Sequence, residues 1–316
     1  MLFPWLAGFR GLGEVPATWC LVLLNVFMFL MTSGQSREQK TFFEKPQNLM
    51  ELGKLYSMNT QEGSGITLQS DSFWMIQGSK ALKDPEYIES VKKGKVTWNL
   101  GDQVRNAEIK KEVIRFSQEL EKRHTFLYGL SSVNQNSLGW VTYQFTHAGW
   151  LHLTGNMGIL LFFATIIELK FGSVFLLMLY LLSGFTAGWA FLVTGVASLA
   201  PVVGASGSLT GVMAFFLATE VKKYARFFYF ISPIQGYFGF IYLPVIFMVP
   251  LLFVPDLVGY LSTPEEFGTS VAYSAHLGGA AFGLVAGLIY RFFLSSIIPP
   301  ERIRDEEDSP SLLSAP

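Results

Sequence analysis

Six apolar stretches dominate this chain and limit what it can fold into. The first reads VPATWCLVLLNVFMFLM over residues 15–31, and five more follow at about 148–168, 171–193, 204–221, 236–255 and 273–294. A helix needs roughly 20 apolar residues to cross the hydrocarbon core of a bilayer, and these stretches approach or reach that length. Half of all residues are hydrophobic and only 15% are charged. The sequence therefore predicts an all-α, polytopic membrane protein with six transmembrane helices.

A secretory signal peptide is the alternative interpretation of the first stretch, since Arg10 precedes it. The stretch is long for the apolar part of a signal peptide, and no A-x-A cleavage site follows it. These observations favour a retained transmembrane helix over residues 15–32.

The charge pattern divides the rest of the chain. Residues 1–14 form a short N-terminal segment, and residues 33–139 are polar and charged, which indicates a soluble, mostly helical insertion. Within it, Ile109, Val113, Phe116 and Leu120 recur at helical spacing, so we expect an amphipathic helix over 107–123. Residues 72–93 have room for one or two more helices. Transmembrane helices 2–6 are expected within 140–294, and residues 295–316 form a polar tail.

Basic residues in the short loops predict the orientation in the membrane. With a cytoplasmic N-terminus, the basic residues near the span ends share one side: Arg10, Lys170, Lys222, Lys223, Arg226, Arg291, Arg302 and Arg304. The opposite short loops, about 194–203 and 256–272, contain neither lysine nor arginine. We therefore expect both termini in the cytoplasm and the insertion outside it. Because no organelle-targeting segment precedes the first stretch, a bacterial cytoplasmic (inner) membrane is favoured.

Charge and cysteine content bear on partners and cofactors. The formal net charge is −1, so no nucleic-acid partner is implied. Cys20 is the only cysteine, and it can build neither a disulfide framework nor a cysteine-based metal site. No metal and no cofactor is expected.

Polar side chains occur near the outer ends of three predicted spans. His147, His152 and Asn156 belong to the second span, Ser206 to the fourth and His276 to the sixth. Polar groups inside a membrane are costly and are therefore candidates for function. The three spans run in the same direction, so these groups can share one depth. His152 and Asn156 are four residues apart and lie on one helix face.

Ser206 and His276 can supply the two groups that acyl transfer needs. A serine hydroxyl becomes an effective nucleophile when a base removes its proton, and His276 is the natural base. The side chains of His152 and Asn156 and the Ser206 backbone N–H can stabilise the developing oxyanion. Asp256 lies at the outer edge of the fifth predicted span and is a poor candidate to orient His276. The expected unit is therefore a Ser-His dyad rather than a triad.

Small residues on the fourth and sixth spans predict that these two helices pack closely. They are Gly207, Gly211, Ala214 and Ala218 on the fourth span, and Gly279, Gly283 and Gly287 on the sixth. G-x-x-x-G faces let helices approach closely in lipid, and taken alone they indicate packing rather than function. Here close packing would also bring Ser206 within hydrogen-bonding distance of His276.

Three motifs in this order resemble the rhomboid family of intramembrane serine proteases. They are G-A-S-G at 204–207, H-x-x-x-x-H-x-x-x-N over 147–156, and A-H-x-x-G-x-x-x-G-x-x-x-G over 275–287. The resemblance covers about 15–32 and 138–294. It implies that Ser206 is the nucleophile and His276 the general base. It also implies an oxyanion hole made by His152, Asn156 and the Ser206 amide.

The same resemblance implies further roles. His147 would help to shape the site, Gly204 and Gly207 would support the serine, and Glu168 would hold a structural hydrogen bond. The loop at about 256–272 would cap the site, and the fifth span would be a lateral gate for a transmembrane substrate.

The sequence departs from the family pattern at two positions. Where family members often carry an aromatic residue that stacks on the catalytic histidine, this chain has Thr210, so Tyr273 or Phe282 would have to hold the ring. Trp140 is followed by Val141 where the family often has Trp-Arg. The insertion is also much longer than usual. Neither substitution removes a catalytic group.

Together these features predict a serine endopeptidase that cleaves membrane-anchored proteins in or near a transmembrane segment, close to the outer face. One alternative is an inactive rhomboid-like protein that binds membrane clients, although such proteins usually lack the serine or the histidine. Another is a small transporter, which would need acidic groups at mid-membrane depth; Glu168 lies only at the inner end of its span. The substrate, the oligomeric state and the role of the insertion do not follow from the sequence.

Overall fold

The computed structural model describes residues 2–4, 11–33, 42–60, 70–98, 102–131, 137–194, 201–221, 223–230, 238–262 and 272–295. Within these ranges the chain is predominantly helical and contains one small antiparallel sheet. The polar tail and most of the expected cap loop lie outside the described residues.

After α1 (Pro16–Ser33), a polar region builds its own hydrophobic core. Its helices are α2 (Pro46–Asn59), α3 (Asp71–Ala81), α4 (Pro85–Lys92), α5 (Gln103–Glu121) and α6 (His124–Tyr128). The helix expected over 107–123 is α5, and α3 and α4 lie where residues 72–93 left room for helices. Ile109 and Val113 of α5 are fully buried in the same core as Leu52, Leu55 and Val91.

Hydrogen bonds to backbone groups join this region to the apolar helices. Nδ1 of His124 lies 3.3 Å from the carbonyl oxygen of Thr32, near the end of α1. Leu130 and Val202 form an antiparallel bridge, with N–O distances of 3.1 and 2.8 Å. The second contact fixes the polar region to the segment that leads into the Ser206 helix.

Five further helices are mainly apolar and follow the short helix α7 (Gly139–Thr142). They are α8 (Trp150–Phe171), α9 (Ser173–Thr194), α10 (Ser206–Glu220), α11 (Met248–Ser262) and α12 (Tyr273–Ile289), which continues as a π-helical turn (Tyr290–Leu294). Among the described residues, four helices are long and apolar enough to cross a membrane: α1, α8, α9 and the stretch Tyr273–Leu294. By contrast, α10 and α11 have 15 residues each, about 22 Å of helix against a hydrocarbon core of roughly 30 Å. Six membrane crossings therefore stay a prediction.

Helix α10 is the centre of the apolar bundle. All of its residues except Ser206 and Thr219 are buried. Phe215 and Phe216 are completely inaccessible and belong to one core with Phe163 of α8. A helix that is apolar on every side must be surrounded by other helices, and α10 contacts α8, α9 and α12. The residue that begins this helix is therefore held in a rigid frame.

The backbones of α10 and α12 approach each other at successive turns. A side chain at Gly279 would overlap the carbonyl oxygen of Gly207, and one at Gly283 would overlap that of Gly211. At Gly287, an added Cβ would come within 2.6 Å of the Ala218 Cβ. Only glycine allows backbones to come this close.

The first half of the fifth predicted span is a strand and not a helix. A three-stranded antiparallel sheet, ordered β1 (Leu2–Pro4), β2 (Tyr224–Phe230) and β3 (Phe238–Pro244), precedes a 3-10 turn (Val245–Phe247) and α11. The predicted helix over 236–255 was therefore wrong in its first half and ended too early. The segment FGFIYLP is rich in aromatic and β-branched residues, and an apolar run of this length does not by itself separate a strand from a helix.

The sheet also constrains the topology. Leu2 of β1 pairs with Tyr229 of β2, so the N-terminal strand lies on the same side of the bundle as the segment after α10. Open sheet edges do not occur in contact with lipid, so this sheet belongs outside the hydrocarbon layer. An even number of crossings between residues 4 and 224 is consistent with this pairing.

Candidate active site

Ser206 and His276 meet at the beginning of two closely packed helices. Ser206 is the first residue of α10, and His276 lies in the first turn of α12. The Nε2 atom of His276 is 2.9 Å from Oγ of Ser206. Both side chains are half-buried. This distance lies within the hydrogen-bonding range that proton transfer from a serine to a histidine requires.

The segment before Ser206 has a backbone conformation that favours glycine. Gly204 has φ +125° and donates its N–H to the Tyr143 carbonyl at 2.9 Å. A Cβ at Gly204 would lie 2.7 Å from Cε1 of His152 and 3.6 Å from Nδ2 of Asn156. The two α8 side chains are therefore adjacent to the backbone that enters α10, and a side chain at position 204 would displace His152.

His147 positions Asn156 through a buried hydrogen bond. Nδ2 of Asn156 donates to Nε2 of His147 at 3.0 Å, while Nδ1 of His147 donates to the Phe145 carbonyl at 3.2 Å. His147 is buried, and its ring lies 5.1 Å from the His152 ring between centroids. A neutral His147 can accept this bond, and the second amide hydrogen of Asn156 stays available to another acceptor.

The candidate hydrogen-bond donors of the oxyanion hole lie close to the beginning of α10. The first backbone N–H groups of a helix have no partner within it, and Ser206 is the first residue of α10. The side chains of His152 and Asn156 reach the same region from α8, since both lie near Gly204. All the side chains that the sequence assigned to the nucleophile, the base and the oxyanion hole are therefore brought together by three helices.

Thr210 interacts with the backbone of His276 and not with its ring. Its hydroxyl lies 2.9 Å from the His276 carbonyl oxygen and 2.8 Å from that of Gly207. Neither Tyr273 nor Phe282 stacks on the His276 ring, and no other aromatic side chain in the described ranges does so. The expectation that one of these rings would hold the histidine was wrong.

Asp256 lies nearer to His276 than its predicted position at the outer edge of the fifth span indicated. Its Oδ2 atom lies 3.0 Å from Nδ1 of His276, on the ring edge opposite Ser206. Because the predicted fifth span ended at residue 255, Asp256 was placed in a loop; in the structure α11 continues to Ser262, which places Asp256 inside the helix. A fifth span shifted by a few residues would have placed Asp256 within the helix, but its position opposite His276 depends on the packing of α11 against α12.

Glu168 binds the beginning of α1 from the C-terminal end of α8. Its carboxylate accepts from the backbone N–H groups of Ala17 and Thr18, both at 2.7 Å, and from the Thr18 hydroxyl at 2.7 Å. Ser173 donates a fourth hydrogen bond at 2.5 Å. A buried carboxylate at a helix N-terminus satisfies unpaired N–H groups and interacts favourably with the helix dipole.

Replacing Glu168 by glutamine is expected to destabilise the bundle by about 2–3 kcal/mol, because an NH₂ group would face N–H donors and the charge would be lost. Thermal unfolding in detergent would measure the change. Ser173→Ala removes one of the four bonds and should cost about 1 kcal/mol. Equal stability of Glu168→Gln and the wild type would contradict this role.

A family model described as the rhomboid domain matches residues 134–292, which is half of the chain and contains every side chain placed at this site. A comparison with curated proteins found no match. The matched region begins just before α7 and ends within the π-helical turn after α12. By this match, and with four helices able to span a bilayer, the chain is a membrane protein that belongs to the rhomboid family.

Proposed function

We propose that the protein is an intramembrane serine endopeptidase that hydrolyses peptide bonds in or near the transmembrane segments of membrane-anchored proteins. The observation that carries this proposal is the 2.9 Å contact between Ser206 Oγ and His276 Nε2. It occurs beside a cluster of hydrogen-bond donors on α8. Rhomboid-family membership supports this reaction class.

The reaction follows from the roles of the two side chains. Nε2 of His276 takes the hydroxyl proton of Ser206 as Oγ forms a bond to the carbonyl carbon of the substrate. The same proton then passes to the amide nitrogen as the C–N bond breaks. Water, deprotonated by His276, releases the acyl group from Ser206. As the acyl bond breaks, His276 returns the proton to Oγ of Ser206, so water is the only co-reactant that balances these steps.

The oxyanion formed during attack needs donors that are already in place. His152, Asn156 and the Ser206 amide are the candidates, and the bond from Asn156 to His147 limits the motion of the amide. A prearranged donor loses little entropy when charge develops on the substrate oxygen.

Asn156→Ala is expected to lower kcat by about 100-fold with little change in KM, since the donor acts mainly on the oxyanion. Steady-state kinetics on a membrane-anchored reporter would measure both constants. Leu151→Ala, which alters an exposed α8 residue (88% accessible), is the matched control and should leave both unchanged. A raised KM at constant kcat would assign Asn156 to substrate binding instead.

The proposed membrane arrangement has six crossings, with both termini cytoplasmic and the insertion outside, in a bacterial inner membrane. The short helix α10 suits this arrangement, because a helix that begins below the membrane surface leaves room for water above Ser206. The exposed apolar face of α11, which includes Leu257, Val258 and Leu261, supports a lipid-facing gate through which a substrate helix enters.

Incubation of the purified protein in liposomes with a single-span reporter tests the proposal. We expect cleavage near the outer end of the reporter span, and mass spectrometry of the two products identifies the bond. Reporter binding without any cleavage would instead support the alternative function, an inactive rhomboid-like protein that binds membrane clients.

A further inference from the structure

The His276 imidazole has a different partner on each of its two nitrogens. Ser206 lies on the Nε2 side, and the Asp256 carboxylate lies 3.0 Å from Nδ1. The carboxylate is off the line of the Nδ1–H bond, so the contact is one of distance and charge and not yet a well-aligned hydrogen bond. Such contacts in unliganded active sites often tighten when the substrate binds.

Burying the Asp256 carboxylate costs free energy unless a cationic or hydrogen-bonding group lies beside it. The side chains of Asp256 and His276 are each only 16% accessible, and both lie in apolar helices. A carboxylate that loses most of its water requires a positive or hydrogen-bonding group nearby. In the part of the chain that the structure describes, His276 is the side chain within ion-pair distance of Asp256.

A second contact one turn away sets the register between α11 and α12. The ring of Tyr273 occupies the space where a side chain at Gly259 would lie. Gly259 is three residues after Asp256, and Tyr273 is three residues before His276. The two helices are therefore antiparallel here, and the Gly259–Tyr273 contact holds Asp256 opposite His276.

Thr210 does not hold the imidazole ring of His276 in one orientation. Its hydroxyl fixes the backbone carbonyl of His276, but this bond does not restrict rotation of the imidazole. No aromatic ring within the described ranges packs on that imidazole. A group on Nδ1 can restrict the rotation and also select the tautomer that leaves Nε2 free to accept a proton.

We propose that Asp256 is a positioning residue for His276, so that this enzyme uses a Ser-His-Asp arrangement in place of a dyad. The inference rests on the proposed protease function. When Ser206 attacks, its proton moves to Nε2 and the ring becomes an imidazolium. The carboxylate stabilises that charge and keeps the Nδ1 proton in place, while Asp256 itself stays ionised. When the proton passes to the leaving amine, the ring is neutral again.

Three variants at this position test the proposal in the full-length protein: Asp256→Asn, Asp256→Glu and Asp256→Ala. Steady-state cleavage gives kcat and KM, and the rate of covalent labelling by a fluorophosphonate probe reports the reactivity of Ser206 without a protein substrate. We expect Asp256→Asn to lower kcat and the labelling rate by about 100-fold with KM unchanged. Asp256→Glu should recover part of the loss. Val174→Thr, at an exposed position of α9, should behave as the wild type.

A spectroscopic measurement covers the case in which the variants do not fold. In the wild type with ¹⁵N-labelled histidine, Nδ1 of His276 should show a downfield, slowly exchanging proton, assigned by its loss in His276→Ala. Absence of this signal, or an Asp256→Asn kcat within threefold of the wild type, would overturn the inference while leaving the protease function intact. If the wild type neither cleaves the reporter nor reacts with the probe, the proposed function itself fails, and the inference fails with it.

Discussion

Ser206→Ala and His276→Ala are each expected to reduce cleavage of a transmembrane reporter by about 10⁴-fold or more. The first variant removes the atom that forms the acyl bond, and the second removes the base 2.9 Å away. Because the two side chains act as one unit, the double variant should be no slower than either single variant. Reporter cleavage in liposomes, followed over days to detect slow turnover, measures all three rates.

Ser208→Ala is the matched control for this result. Ser208 is also a buried serine of α10, but its hydroxyl donates to Oε1 of Gln144 at 3.0 Å and does not contact His276. The variant should lose about 1 kcal/mol of stability and keep its cleavage rate. Cleavage by Ser206→Ala at more than a hundredth of the wild-type rate would rule out Ser206 as the nucleophile.

Gly283→Val is expected to lower the stability of the bundle by about 3 kcal/mol or more, and to reduce activity as well. A side chain at this position would overlap the backbone carbonyl of Gly211. Backbone atoms of a packed helix cannot move aside as a flexible side chain can, so α10 and α12 must separate. Since Ser206 and His276 lie on these two helices, the separation would lengthen their contact.

Thermal unfolding and reporter cleavage, measured on the same preparation, test this prediction. Gly158→Ala is the control, because Gly158 lies within α8 and an added Cβ there would have no atom within 4 Å. That change should be neutral or stabilising by up to about 1 kcal/mol. If Gly283→Val unfolds at the wild-type temperature, close packing of α10 and α12 does not determine stability.

Local sequence patterns were sufficient to predict most of the candidate site. His152 and Asn156 are four residues apart, which places them on one face of any helix that contains them. Their family motif connects them with Ser206 and His276. Helical periodicity likewise predicted α5, and the length of the apolar runs predicted α1, α8, α9, α10 and α12, because both signals depend only on the local sequence.

Contacts between distant parts of the chain were harder to predict. The sequence indicated a structural bond for Glu168, but the N-terminus of α1 as its partner, about 150 residues away, became visible only in the structure. The residues of β2 and β3 looked like a loop and part of a span, since apolar and aromatic content is compatible with a strand or a helix.

The sequence by itself determined the family, the helical membrane class and the identity of the nucleophile and base candidates. These depend on residue type and on spacing along a single helix or motif. The tertiary structure decided which group lies on the second nitrogen of His276. Asp256 reaches it because α11 extends to Ser262 and packs in register against α12 through Gly259 and Tyr273. That register is a property of two packed surfaces, and neither helix encodes it alone.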